Sequence, residues 1–136
     1  PTRRSSDLNI KGHIDVVIFN RYYQSEYVYG QLYRGGNSDE IKKMTNILED
    51  YLINNIGYDN IYYIQLNSDS TELLINNEDG KSLSQGKEEQ IKKELDLFKD
   101  IFDFCKVKKK MIYINEGNKF RSREDILKDF KDFINI

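Results

Sequence analysis

The chain is poor in the residues that staple or punctuate a fold. It has one cysteine, one proline, one histidine and no tryptophan, and alanine does not occur at all. A lone thiol, Cys105, excludes an internal disulfide and points to a reducing compartment, the cytoplasm. Neither Cys105 nor the single histidine, His13, has partners at metal-ligand spacing. No apolar run approaches the roughly 18 residues of a membrane-spanning helix. The net charge is −2 with both signs interspersed, which leaves no basic footprint for nucleic acid or an anionic membrane. The one cationic run, Lys106 to Lys110 (KVKKK), has no aromatic interleaving and reads as a solvated turn.

The first eight residues, PTRRSSDL, match the in-frame translation of the end of a common short-read sequencing adapter. They are set aside as a scar, so that the natural chain is expected to enter at about Asn9, in mid-gene. The scar holds the only proline; removing Arg3, Arg4 and Asp7, which sum to +1, leaves −3. The remainder is rich in Ile, Asn, Lys and Tyr, the usage of an AT-rich genome, so surface Asn and Lys carry little chemical information. A length of 136 residues suits one domain with one core.

His13 to Asn20 (HIDVVIFN) reads as a buried strand, because Val16 to Phe19 is continuously apolar. A helix is predicted from Ser25 to about Arg34, ended by Gly35-Gly36. Ser38 is the predicted N-cap of the next, whose stripe is Ile41, Met44, Leu48, Tyr51 and Leu52, with Gly57 as its stop. Ile61 to Leu66 is the second strand, and a short helix, Thr71 to Ile75, follows Ser70. Asn76 to Gly86 is polar and glycine-punctuated, a mobile loop. Lys87 to Cys105 is an amphipathic helix with its stripe at Ile91, Leu95, Phe98, Phe102 and Cys105. Met111 to Ile114 is the third strand. Ser122 opens the last helix with a capping box, and its stripe is Ile126, Leu127, Phe130, Phe133 and Ile134. The alternation argues for an α/β domain with a parallel sheet of three strands flanked by helices. Three strands are few for such a sheet, which hints that others are missing.

In open parallel sheets ligands bind beyond the carboxyl ends of the strands. The residues leaving the first strand, Asn20 to Gly30 (NRYYQSEYVYG), therefore matter most. Arg21 at the strand tip can grip a phosphate bidentately. Tyr22, Ser25 and Tyr29 share a helical face, with Glu26 alongside. An arginine, a hydroxyl, a carboxylate and aromatic rings together suit a sugar, a base and a phosphate.

This segment resembles the thymidylate kinases, which carry D-R-Y-x-x-S-x-x-A-Y after a buried strand. Arg21, Tyr22, Ser25 and Tyr29 match, while Asn20 and Val28 depart. The related deoxynucleoside kinases carry E-R-S-x-x-S-D there, which Glu26 fits. The later order of strand, polar loop, long helix, strand and closing helix also fits, so the resemblance spans Ile14 to Ile134. It implies a P-loop-kinase type of parallel sheet and transfer of the ATP γ-phosphoryl, with Mg2+, to a deoxynucleoside monophosphate, dTMP as the first substrate. Arg21 would bind the acceptor phosphate and stabilise charge in transfer. Asn20 stands where the family has a carboxylate near the metal. Tyr22, Ser25, Glu26 and Tyr29 would line the nucleoside pocket. Residues 76–86 would be the lid over ATP, with Lys81 its only cation. Asn118 and Lys119, within Glu116 to Phe120, would lie beside the adenine. The implied partner is a nucleotide or nucleoside, with neither nucleic acid nor membrane; a homodimer is compatible with the family.

Two departures bear on activity. No G-x-x-x-x-G-K-[ST] loop occurs in the chain; in the family that backbone cradle for ATP phosphates lies upstream, so residues 9–136 are expected to be the carboxy-terminal two-thirds of a kinase domain, with ATP and Mg2+ held by the intact parent protein. Asn20 offers metal no negative charge. The 136 residues are therefore expected to be inactive as a kinase alone and only marginally stable, with apolar strand surface left open. The alternatives are a deoxynucleoside kinase and a non-catalytic nucleotide-binding relative.

Overall fold

A computed structural model describes residues 16–77 and 87–135. Helix α1 (Tyr23–Tyr33) ends in a glycine turn: Gly35 takes φ +68°, and the Gly36 N–H returns to the Gly30 carbonyl, six residues back, at 2.7 Å. Helix α2 (Ser38–Ile56) is capped by Asn37, whose side chain accepts from the Asp39 and Glu40 amides; the cap lies one residue before the predicted Ser38. Gly57 ends it as expected, at φ +100°. A 3-10 turn (Tyr58–Asn60) leads into β1 (Tyr62–Asn67), followed by the short α3 (Thr71–Asn76), capped by Ser70. Helix α4 (Glu88–Phe104) then crosses to β2 (Lys108–Tyr113). A small hairpin, β3 (Asn115–Glu116) and β4 (Lys119–Phe120), precedes α5 (Arg123–Ile134), which starts at the predicted Ser122 cap.

β1 and β2 pair in parallel, from Tyr62 opposite Lys108 to Asn67 opposite Tyr113, so the architecture is α/β as expected. Among the described residues the third parallel strand is not found. Residues 16–20 join no sheet, and Val16, Val17, Ile18 and Phe19 are all exposed, Ile18 by 72%. A strand buried on both faces needs neighbours to satisfy its backbone, and among the described residues none stands beside this one. Its first residues, 13–15, lie outside the described residues, as do 78–86 of the predicted loop.

The two faces of the sheet are covered by different helices. Tyr63 packs on Phe102 of α4, with ring centres 5.7 Å apart. Tyr62, pointing the opposite way, meets Phe133 of α5 edge-on at 5.5 Å. The main core lies where α1 crosses α4: Tyr27, Val28, Ile101, Cys105 and Val107 are buried together. The predicted α4 stripe omitted Ile101, which is fully buried.

Two expectations are corrected. The lysines of the KVKKK run are not a turn, because Lys108, Lys109 and Lys110 begin β2. Alternation sends Lys109 toward α4, where its ammonium closes the helix end by donating to the Phe102, Asp103 and Cys105 carbonyls at 2.6, 3.0 and 2.7 Å. Lys108 instead pairs with Asp59 at 2.9 Å. The second correction concerns α2, which does not bury its apolar stripe. Thr45 and Glu49 are buried, whereas Met44 and Tyr51 are 69% and 63% exposed. The helix is turned by the hydrogen bonds of Glu49, and its apolar side lines an open cleft of about 480 Å³, closed on the other side by Tyr23 and Glu26 of α1. Among the described residues no helix is long and apolar enough to cross a membrane.

Candidate functional site

The turn into α1 is where the backbone departs most from ordinary geometry. Arg21 has φ +76°, in the left-handed region that costs a non-glycine residue about 1–2 kcal/mol. Tyr22 then leaves the turn as the N-cap residue of α1 without donating or accepting a side-chain capping bond, and the Ser25 amide reaches back to its carbonyl at 3.1 Å. This conformation aims the Arg21 side chain along the helix, and its guanidinium carbon sits 5.2 Å from the centre of the Tyr29 ring.

Tyr29 is held from both sides. Its ring stacks on Tyr33 at 6.1 Å and meets Phe98 of α4 edge-on at 5.8 Å. Burial raises the Tyr29 phenol above its ordinary value and Glu94 adds to this, while Arg21 opposes it. The Tyr33 hydroxyl donates to Glu94 at 3.1 Å. Arg21, Tyr29, Tyr33 and Glu94 thus form one polar-aromatic cluster on the α1–α4 edge.

The remaining predicted residues are distributed around it. Tyr22 is exposed and stacks on Phe19 at 4.9 Å. Ser25 is half-buried one turn from Tyr29, and Asn20 is exposed. Glu26 pairs with Arg34, at the end of its own helix, at 2.5 Å and borders the apolar cleft beside α2. Asn118 lies in the exposed turn of the β3–β4 hairpin, and Lys119, also exposed, begins β4 opposite Glu116. That hairpin is fastened to the carboxyl end of β1 by the buried Asn115, whose side chain accepts from the Asp69 amide at 3.1 Å. Lys81 lies outside the described residues.

Sequence reading missed Glu94 and Tyr33. Glu94 stands three residues after Ile91 and four before Phe98, so the spacing puts it on the α4 stripe, and the packing of α1 on α4 sets it beside Tyr29. Tyr33 follows Tyr29 by one turn, and in a chain with ten tyrosines core packing is the default expectation for such a ring. Glu49 was missed because a glutamate inside an amphipathic helix is expected to face water.

Among the described residues no group of three or more His, Cys, Asp or Glu side chains is placed to hold a metal ion. Asn20 is neutral and offers a metal no charge, and the glycine-rich phosphate loop of the kinase resemblance is not among these residues. What the cluster offers is a cation in a fixed direction beside aromatic faces and a hydroxyl, which suits one anionic group on an aromatic ligand. Compared with known proteins, the chain matches no family model, no curated protein and no solved structure.

Proposed function

We propose that this chain carries the acceptor-binding elements of a thymidylate-kinase-like phosphotransferase, and that Arg21 grips the phosphate of a deoxynucleoside monophosphate, dTMP first. The observation that carries this reading is the left-handed backbone of Arg21. Strain of that kind persists where a side chain must point in one direction, and the strained residue is the one the N-R-Y-x-x-S motif marks for phosphate. Tyr29 and Tyr22 offer ring faces for a base, and Ser25 a hydroxyl for the sugar. No transfer step is attributed to these residues, because the glycine loop that would hold ATP is not among them.

Calorimetric titration with dTMP and with thymidine tests the reading. The wild-type chain is expected to bind dTMP more tightly than thymidine. Arg21→Ala should lose about 1.5–3 kcal/mol of dTMP affinity, the range of charge-assisted hydrogen bonds, with thymidine binding little changed. Equal dTMP binding by both proteins would end the assignment. Tighter binding of thymidine than dTMP would favour a nucleoside acceptor instead.

A further inference from the structure

Glu49 is fully buried in the middle of α2, and both its carboxylate oxygens are engaged. Oε2 accepts from the Tyr23 hydroxyl at 2.5 Å, and Oε1 accepts from the Lys106 backbone N–H at 2.7 Å. Tyr23 is the first residue of α1, two positions after Arg21. Lys106 lies in the turn joining α4 to β2. One side chain therefore ties together the start of α1, the middle of α2 and the end of α4. Burying a carboxylate is costly unless it is fully hydrogen-bonded, so its presence here instead of an apolar residue calls for a role.

We infer that Glu49 is a positioning residue for Arg21, holding the first turn of α1 through Tyr23 so that the left-handed turn cannot relax. A non-glycine residue stays at positive φ only when its surroundings over-determine it. On one side the Arg21 side chain lies over Tyr29, a contact that an exposed guanidinium can leave at little cost. On the other, the chain is fixed by the buried Tyr23–Glu49 bond, which it cannot leave without stranding a buried carboxylate oxygen. Tyr22 transmits the constraint, since its ring meets Tyr23 edge-on at 5.1 Å. This inference rests on the nucleotide-binding reading only for its consequence: a loosened Arg21 is a smaller binding-competent population and hence a weaker phosphate grip.

The test uses Tyr23→Phe, which removes one hydroxyl and keeps the ring, and Glu49→Gln, which keeps the shape and removes the charge. A positive φ brings the Arg21 amide hydrogen close to its own Hα, giving a strong intraresidue NOE. In both variants that NOE is expected to fall to roughly half or less, and apparent dTMP affinity to fall about fivefold, in proportion to the lost population. Lys109→Met, which loosens the same carboxyl end of α4 without touching Tyr23, should leave the NOE intact; if it weakens the signal equally, Glu49 is merely structural. An unchanged NOE in Tyr23→Phe overturns the inference whatever happens to stability. If the NOE falls but the wild-type chain binds neither dTMP nor thymidine, the positioning role stands and the nucleotide reading fails.

Discussion

The guanidinium of Arg21 lies over the ring of Tyr29, with 5.2 Å between its central carbon and the ring centre, although the two residues are eight positions apart. Two turns of helix place Tyr29 on the face that a left-handed residue before the helix addresses. Burial of the phenol, its stacking on Tyr33 and its edge contact with Phe98 keep the ring still. The arginine therefore has a platform, and its own backbone carries the strain of reaching it.

That strain makes the two obvious substitutions differ. Arg21→Ala keeps the left-handed conformation unfavourable and loses the ring contact, worth about 0.5–1 kcal/mol at an exposed site. Arg21→Gly loses the same contact but adopts the turn freely. The glycine variant is expected to be about 1 kcal/mol more stable than the alanine variant. Urea unfolding with equal m values measures the gap, and equal midpoints would mean that no strain resides there.

Lys109 should be among the most costly lysines to replace. Its ammonium donates to three carbonyls at the end of α4, where orphan acceptors and the helix dipole both favour a cation. Lys109→Met keeps the stem and removes the donors, with an expected loss of about 1–3 kcal/mol. Lys110→Met, exposed on the same strand, should stay within about 0.5 kcal/mol of wild type. Comparable midpoints for the two variants in guanidinium unfolding would contradict the capping role.

The helices and most of their caps were legible in sequence because each signal is local, although the cap of α2 is Asn37 and not the predicted Ser38. Ser70, Ser122 and Gly57 act where the chain places them, and α4 follows the spacing of its apolar residues. What was not legible depends on partners. The apolar run at Val16–Phe19 has strand composition, but a strand exists only against another strand. The face of α2 was misread because Glu49 finds its donors on α1 and beyond α4, 26 and 57 residues away in the chain. Lys109 was misread because a cation run looks solvated until the helix end it serves is in place. At the site, the motif named Arg21 and Tyr29, whereas Glu94 and Tyr33 emerge only when α1 lies on α4.

Stability should fall in alkali. Burial, foremost, and the Glu49 hydrogen bond hold the Tyr23 phenol far above its ordinary value. Burial likewise raises Tyr63, with Cys105 and Glu49 adding to it, and raises the Cys105 thiol, with Glu49 adding and Lys109 opposing. All three stay protonated in the fold, whereas in the unfolded chain the thiol ionises near about 8.5 and the phenols near about 10. As pH rises past these values the unfolded state releases protons first, so the stabilisation is complete below about pH 8.5 and is lost progressively above it. Thermal midpoints should be level from about pH 6 to 8 and decline from about pH 9 to 11. Tyr63→Phe should flatten part of that decline, and a midpoint unmoved at about pH 11 would remove the argument.

The exposed run at Val16–Phe19 separates stability from solubility. Were it a buried strand, Ile18→Ser would cost several kcal/mol through lost burial and an unpaired hydroxyl. With Ile18 72% exposed, the same change should alter unfolding by no more than about 0.5 kcal/mol. The four apolar residues nevertheless form an unpaired, β-prone, uncharged segment, and the outer edge of β1 carries no strand among the described residues. Both features favour association between copies through backbone pairing. Ile18→Lys adds a charge that opposes that pairing, so it should slow aggregation while leaving the unfolding midpoint where Ile18→Ser leaves it. Light scattering during incubation, alongside urea unfolding of both variants at low concentration, reads the two effects separately. A large loss of stability in either variant would mean that the segment is packed after all, and unchanged aggregation would direct attention to the exposed side of α2, where Met44, Ile47 and Tyr51 stand open.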